Sequence, residues 1–165
     1  MIYTTYFAKV KDLPPNVIPI SICGKAPDEW KGLEYKKFAP KWNFFKVWKE
    51  THDNDYYIEH YQKEVLDTLN FMKVTIELQI KIPEEIREKM TASVSKDPNY
   101  HIALVCYEKP EDFCHRHLVA DWINGIIPFM SICYMEPIEE YTGEKKIIPL
   151  SDEDVEKIQS LGYSI

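Results

Sequence analysis

One stretch limits the fold of this chain more than any other: HIALVCYEKPEDFCHRHLVADW, His101 to Trp122. It opens with a continuous apolar run from Ile102 to Val105. A short run of that kind reads as a strand covered on both faces, the usual state of strands in parallel sheets. Asp112 is a good N-cap for a following helix. Leu118, Val119, Trp122 and Ile126 then share one helical face, with Gly125 near the end. A buried strand that hands over to a helix points to an α/β layered fold. Cys106, Cys114, His115 and Arg116 all sit within that handover.

The rest of the chain alternates in the same way. IYTTYFA (Ile2 to Ala8) and VIPISI (Val17 to Ile22) are rich in β-branched residues and read as strands, with Pro19 suited to an edge or a strand start. KWNFFKVWKE after Pro40 reads as a short helix. DYYIEHYQKEVLDTL has apolar residues at i, i+3, i+4 and i+7, which predicts an amphipathic helix capped by Asp53 or Asn54. In FMKVTIELQIKI, Val74, Ile76, Leu78, Ile80 and Ile82 alternate, which predicts a strand. A helix there is the alternative, and it would make the fold mainly helical. PEEIREKM has the proline and acids of a helix start. SICYMEPI and KKIIPL read as strands, and SDEDVEKIQSLG as a capped helix. The expectation is a single α/β domain over residues 1–165, with a partly parallel central sheet flanked by helices.

Composition narrows the setting. No run approaches the eighteen apolar residues of a membrane span, and the first residues lack the pattern of a signal peptide. Cys23, Cys106, Cys114 and Cys133 are not spaced like a disulfide framework, so reduced thiols in a cytoplasm are expected. The net charge of −7 argues against indiscriminate binding to a nucleic-acid backbone. The charge is uneven, however. Lys31, Lys36, Lys37, Lys41, Lys46 and Lys49 face only Glu34 within their segment, so it carries +5 and the remainder −12.

The chemistry gathers at the handover. With Asp112 as cap, Cys114 and His115 fall near positions N2 and N3 of the helix. Free amides and a partial positive charge there suit a phosphate or carboxylate. The same surroundings favour a thiolate at Cys114. Cys106 is expected to be half buried. Arg116 offers a planar fork for phosphate. The plainer reading makes Cys106 a packing residue, His115 an outward polar group and Arg116 a surface charge. The spacing C-x7-C-H-x-H is not that of a zinc knuckle, so no metal or cofactor is assigned. A zinc ion would otherwise draw on Cys106, Cys114, His115 and His117, with Cys114 and His117 sharing a helix face. The two thiols could also approach disulfide distance.

Between Trp30 and Lys49, seven aromatic residues are interleaved with six lysines. Rings stack on bases and lysines neutralise phosphates, so this composition suits a nucleotide or a single strand. Against that, Phe44, Phe45 and Trp48 have the spacing of a core-facing helix stripe.

LVCYEKPEDFCHRHLVADW resembles the signature of the uncharacterised prokaryotic family numbered 488 among the domains of unknown function. In that family a strand ends in residues like Cys-Tyr-Glu-Lys, and Cys-His-Arg opens the next helix. ISICGKAPDEWKGLEYKKFAPKW is similar to the family's other landmark, a strand ending in Ser, a Lys/Pro/Trp loop and a Tyr-x-x-Leu-Ala-Pro element. Here that element reads Tyr35 to Pro40. Some members carry Arg or Lys shortly after the Ser, where this chain has Cys23-Gly24-Lys25. The resemblance implies a cytosolic α/β domain with these two segments as neighbours, and it names no reaction.

Together these features predict a pocket for a phosphate-bearing ligand, a nucleotide or nucleic acid. Cys114 (nucleophile), His115 (acid or base), Arg116 (phosphate clamp) and Cys106 are the expected catalytic residues. Ser21, Lys25, Trp30, Lys37, Trp42, Glu108 and Lys109 are the expected ligand contacts. A cysteine-dependent enzyme is one outcome. A non-catalytic binding module and a zinc-stabilised interaction module are the alternatives.

Overall fold

A computed structural model of the chain describes residues 2–14, 17–81, 101–126 and 139–141. The expected helices at PEEIREKM and SDEDVEKIQSLG, the expected strands at SICYMEPI and KKIIPL, and Cys133 lie outside the described residues. Among the described residues five strands form one sheet: β1 (Ile2–Tyr6), β2 (Val17–Ser21), β3 (Leu33–Glu34), β4 (His101–Cys106) and β5 (Glu139–Glu140). Their order is β3-β2-β4-β1-β5, and every pairing is parallel. The sheet is thus parallel throughout its described strands, and the α/β expectation holds.

The sequence explains the centre. β4 lies between β1 and β2, and Ala103, Leu104 and Val105 have no exposed surface. A strand with neighbours on both edges and layers on both faces has no place for a polar alternation. Pro19 is tolerated because β3 pairs with β2 only at Ile20 and Ser21, which leaves the edge open at the proline.

Among the described residues, four α-helices accompany the sheet: α1 (Trp42–Thr51), α2 (Asn54–Glu64), α3 (Phe71–Ile80) and α4 (His115–Ile126). The break between α1 and α2 falls where expected. His52 adopts left-handed backbone (φ 54°), and the Asp53 carboxylate accepts from the Tyr56 amide at 3.0 Å.

α3 corrects an expectation, because the alternating segment is a helix. Phe71, Val74 and Leu78 are buried, at spacings of three and four, whereas Met72, Ile76 and Ile80 are exposed. Apolar residues on both sides of this helix imitate a strand's alternation, and burial selects the helical subset. The start of α4 is a second correction. Lys109 to Asp112 close a separate turn (Asp112 N to Lys109 O, 3.1 Å), so the helix begins at His115, with Cys114 just ahead of it.

Candidate functional site

In a parallel sheet all carboxyl ends share one edge. Tyr6 is level with Cys106, and Ser21 with Val105. After β2 the chain moves outward to β3, whereas the next described strand after β4 is β5, on the far side of β1. The connections therefore diverge between β2 and β4. Such a switch point leaves a crevice outside the carboxyl ends of the strands.

Three thiols meet there. Cys23 follows β2, Cys106 ends β4 and Cys114 precedes α4. All are buried, packed with Phe7 and Ala26. Cys106 Sγ lies 3.3 Å from Glu108 Oε2 and 3.7 Å from His115 Nδ1. His115 Nε2 lies 3.2 Å from the Ile22 carbonyl oxygen. A carbonyl only accepts, so Nε2 carries a proton. Pairing with the Cys106 sulfur, then His115 and the Arg116 amide, holds the Cys114 thiol well below its ordinary pKa. The same pairing, with burial and the Glu108 carboxylate, pushes Cys106 up. Burial, then the Cys114 charge, raises Glu108. Burial also raises Cys23, whose sulfur is engaged with Ser21 Oγ (3.1 Å) and the Lys25 carbonyl (3.3 Å).

Arg116 is fully buried, although a ligand-facing position was expected. Nη1 donates to the Glu108 carbonyl at 2.6 Å and Nε to Glu140 Oε2 at 3.2 Å. Thr4 Oγ1 donates to the same carboxylate oxygen at 2.5 Å. The guanidinium thus ties α4 to the turn after β4 and to β5, with β1 joined through Thr4.

The cleft beside the thiols is lined by Phe45, Trp48, Tyr57, Glu108, Phe113, Cys114 and His115. Its volume of about 20 Å³ is room for one water. Phe113 sits between Trp48 (ring centres 5.7 Å apart) and Tyr57 (5.2 Å).

The expected contact residues divide. Glu108 lines the cleft. Trp42 is 65% exposed and reaches it only through Phe45, 6.0 Å away. Ser21 is buried against Cys23. Trp30 packs edge-on to Phe7 and donates to the Leu33 carbonyl. Lys37 is paired with Glu77 at 2.6 Å, Lys25 with Asp28 at 3.1 Å, and Lys109 is exposed. Cys23, Tyr57, Phe113 and Glu140 were not foreseen as neighbours of this site. The one available signal was Cys23, directly after a β-branched run.

A family model described as "Active DUF488-N3 subclade" (DUF488-N3a) matches residues 9–126, a span that holds the three thiols, His115, Arg116 and the cleft. No curated protein and no solved structure matches the chain.

Proposed function

The chain belongs to the DUF488 family, and from that footing we propose that it binds and processes a phosphate-bearing ligand, a nucleotide or nucleic acid, at the carboxyl edge of its sheet. One observation carries the proposal. Phe45 and Trp48 of α1 wall the same cleft as Glu108, Cys114 and His115. The basic aromatic helix and the thiol cluster are therefore parts of one site.

The roles follow from position. Trp48 and Phe113 offer ring faces for a base. Lys41, Lys46 and Lys49 are exposed on or beside α1 and stand ready for phosphates, with Lys49 Nζ 5.8 Å from the Phe45 ring centre. Cys106, Cys114 and His115 form the reactive centre, and Glu108 is the nearest carboxyl group to carry a proton. Arg116 is a positioning residue: its contacts hold the Glu108 backbone against the start of α4. A base is larger than one water, so ligand entry swings the half-buried Trp48 and Phe113 rings aside.

The test is anisotropy of a labelled single-stranded oligonucleotide, with a nucleotide panel as competitors and mass spectrometry of the bound ligand. Saturable binding that weakens with salt is expected. Trp48→Ala should weaken it about 5- to 160-fold, the equivalent of one lost base stack. Cys114→Ser should abolish any chemical change in the ligand. No saturable binding by any oligonucleotide or nucleotide overturns the proposal. Binding with no chemical change over long incubation overturns the processing half of it.

A further inference from the structure

We infer that Cys106, Cys114 and His115 bind a thiophilic divalent cation, with zinc the ion their donor set fits best. The inference rests on the reading of this edge as the working site, and it goes further by saying what the reactive centre contains. Sequence spacing argued against a metal because seven residues separate the cysteines. The fold removes that objection by placing a strand end beside a helix start. One donor atom from each residue lies within 4.8 Å of the other two, and all three residues are buried.

The distances suit a tetrahedron. Zn–S of about 2.3 Å and Zn–N of about 2.0–2.1 Å put sulfur and nitrogen about 3.6 Å apart around one ion. Cys106 Sγ and His115 Nδ1 are 3.7 Å apart. The histidine is anchored as ligating histidines usually are: its Nε2 donates to the Ile22 carbonyl at 3.2 Å. Cys106 Sγ lies beside the ring, 3.7 Å from Nδ1 and 3.9 Å from Nε2, so loading the ion turns the ring to aim Nδ1 at it. Two thiolates and an imidazole are soft to borderline donors, which select zinc over magnesium or calcium. Of the two histidines the sequence offered beside these cysteines, His115 supplies the third donor.

Three protein ligands leave a fourth position. Structural zinc sites are closed by four, whereas catalytic sites keep one for water or substrate. The cleft borders Cys114 and His115 and has room for one water. Cys23 does not close the site, since its sulfur is taken up by Ser21 and the Lys25 carbonyl.

The test uses the full chain, purified without chelators. Elemental analysis should find about one zinc per chain. Stripped protein titrated with Co²⁺ should bind about one equivalent and develop a thiolate-to-cobalt charge-transfer band. Cys106→Ser and Cys114→Ser should each reduce that band. His115→Ala should weaken Co²⁺ by more than the roughly 10–100-fold that a change outside the ligand set costs. Cys23→Ser should leave binding intact. Folding of each variant is checked by circular dichroism, and the wild-type titration needs no variant at all. Wild-type protein with no zinc and no charge-transfer band overturns the inference. So does a full band in folded Cys106→Ser and Cys114→Ser proteins. Oligonucleotide anisotropy on the same wild-type sample separates the two proposals: ligand binding without metal defeats only this one, and metal without ligand binding defeats only the other.

Discussion

Arg116 shows how a residue's neighbours, rather than its type, decide its work. A guanidinium one residue into a helix looks aimed at a phosphate, yet this one has no exposed surface. It serves Glu140 and the Glu108 carbonyl, while its Nη2 has no partner among the described residues. Removing one partner of a buried ion pair strands the other, at a cost of about 3–5 kcal/mol. Glu140 keeps some access to water, so Arg116→Ala is expected at the low end, about 3 kcal/mol, in urea denaturation. Arg116→Lys should recover only part of it, because an ammonium cannot serve both acceptors in the fork's geometry. A loss below about 0.5 kcal/mol for Arg116→Ala would show that the buried guanidinium ties nothing. None of this was legible in the sequence. Glu140 lies 24 positions from Arg116 and 136 from Thr4, and no local pattern links residues across such gaps.

At the scale of elements, legibility followed the strength of the local signal. β4 was readable because an apolar run between turn residues suits a doubly covered strand. α1 and α2 were readable because the Asp53 cap separates two helical patterns. α3 was not, since Val74, Ile76, Leu78 and Ile80 satisfy a period of two as well as a buried subset with period 3.6. The two conformations differ in what each residue should cost. In the helix, Leu78 is 1% exposed and Ile76 is 51% exposed. Leu78→Ala should therefore destabilise by about 2–5 kcal/mol and Ile76→Ala by under about 0.5 kcal/mol, measured as shifts in urea midpoint. A strand would put Val74, Ile76, Leu78 and Ile80 on one face, where these two substitutions would cost alike. Equal costs would restore the strand.

At the scale of the whole molecule, the site is a product of topology. Cys106 and Cys114 belong to one stretch of chain and Cys23 to another. They meet because β2 and β4 are parallel neighbours and their outgoing connections part company. Strand order is set by long-range pairing, which is why the sequence exposed the Cys106 to His115 group but not Cys23 beside it. The same topology brings α1 to the handover: Phe45 and Trp48 reach the cleft while Phe44, one residue from Phe45, is buried in the main core. A ligand seated in this cleft must touch parts of α1, α2 and the 107–114 connection together. Hydrogen exchange with and without a single-stranded oligonucleotide should therefore show slowed amides in 42–51, 54–64 and 107–117 at once. α3 contributes no residue to the cleft and should be unchanged. Protection confined to α1 would place the ligand on that helix's outer surface, along Trp42 and its lysines, and would separate the basic aromatic face from the thiol cluster as two independent features of the fold.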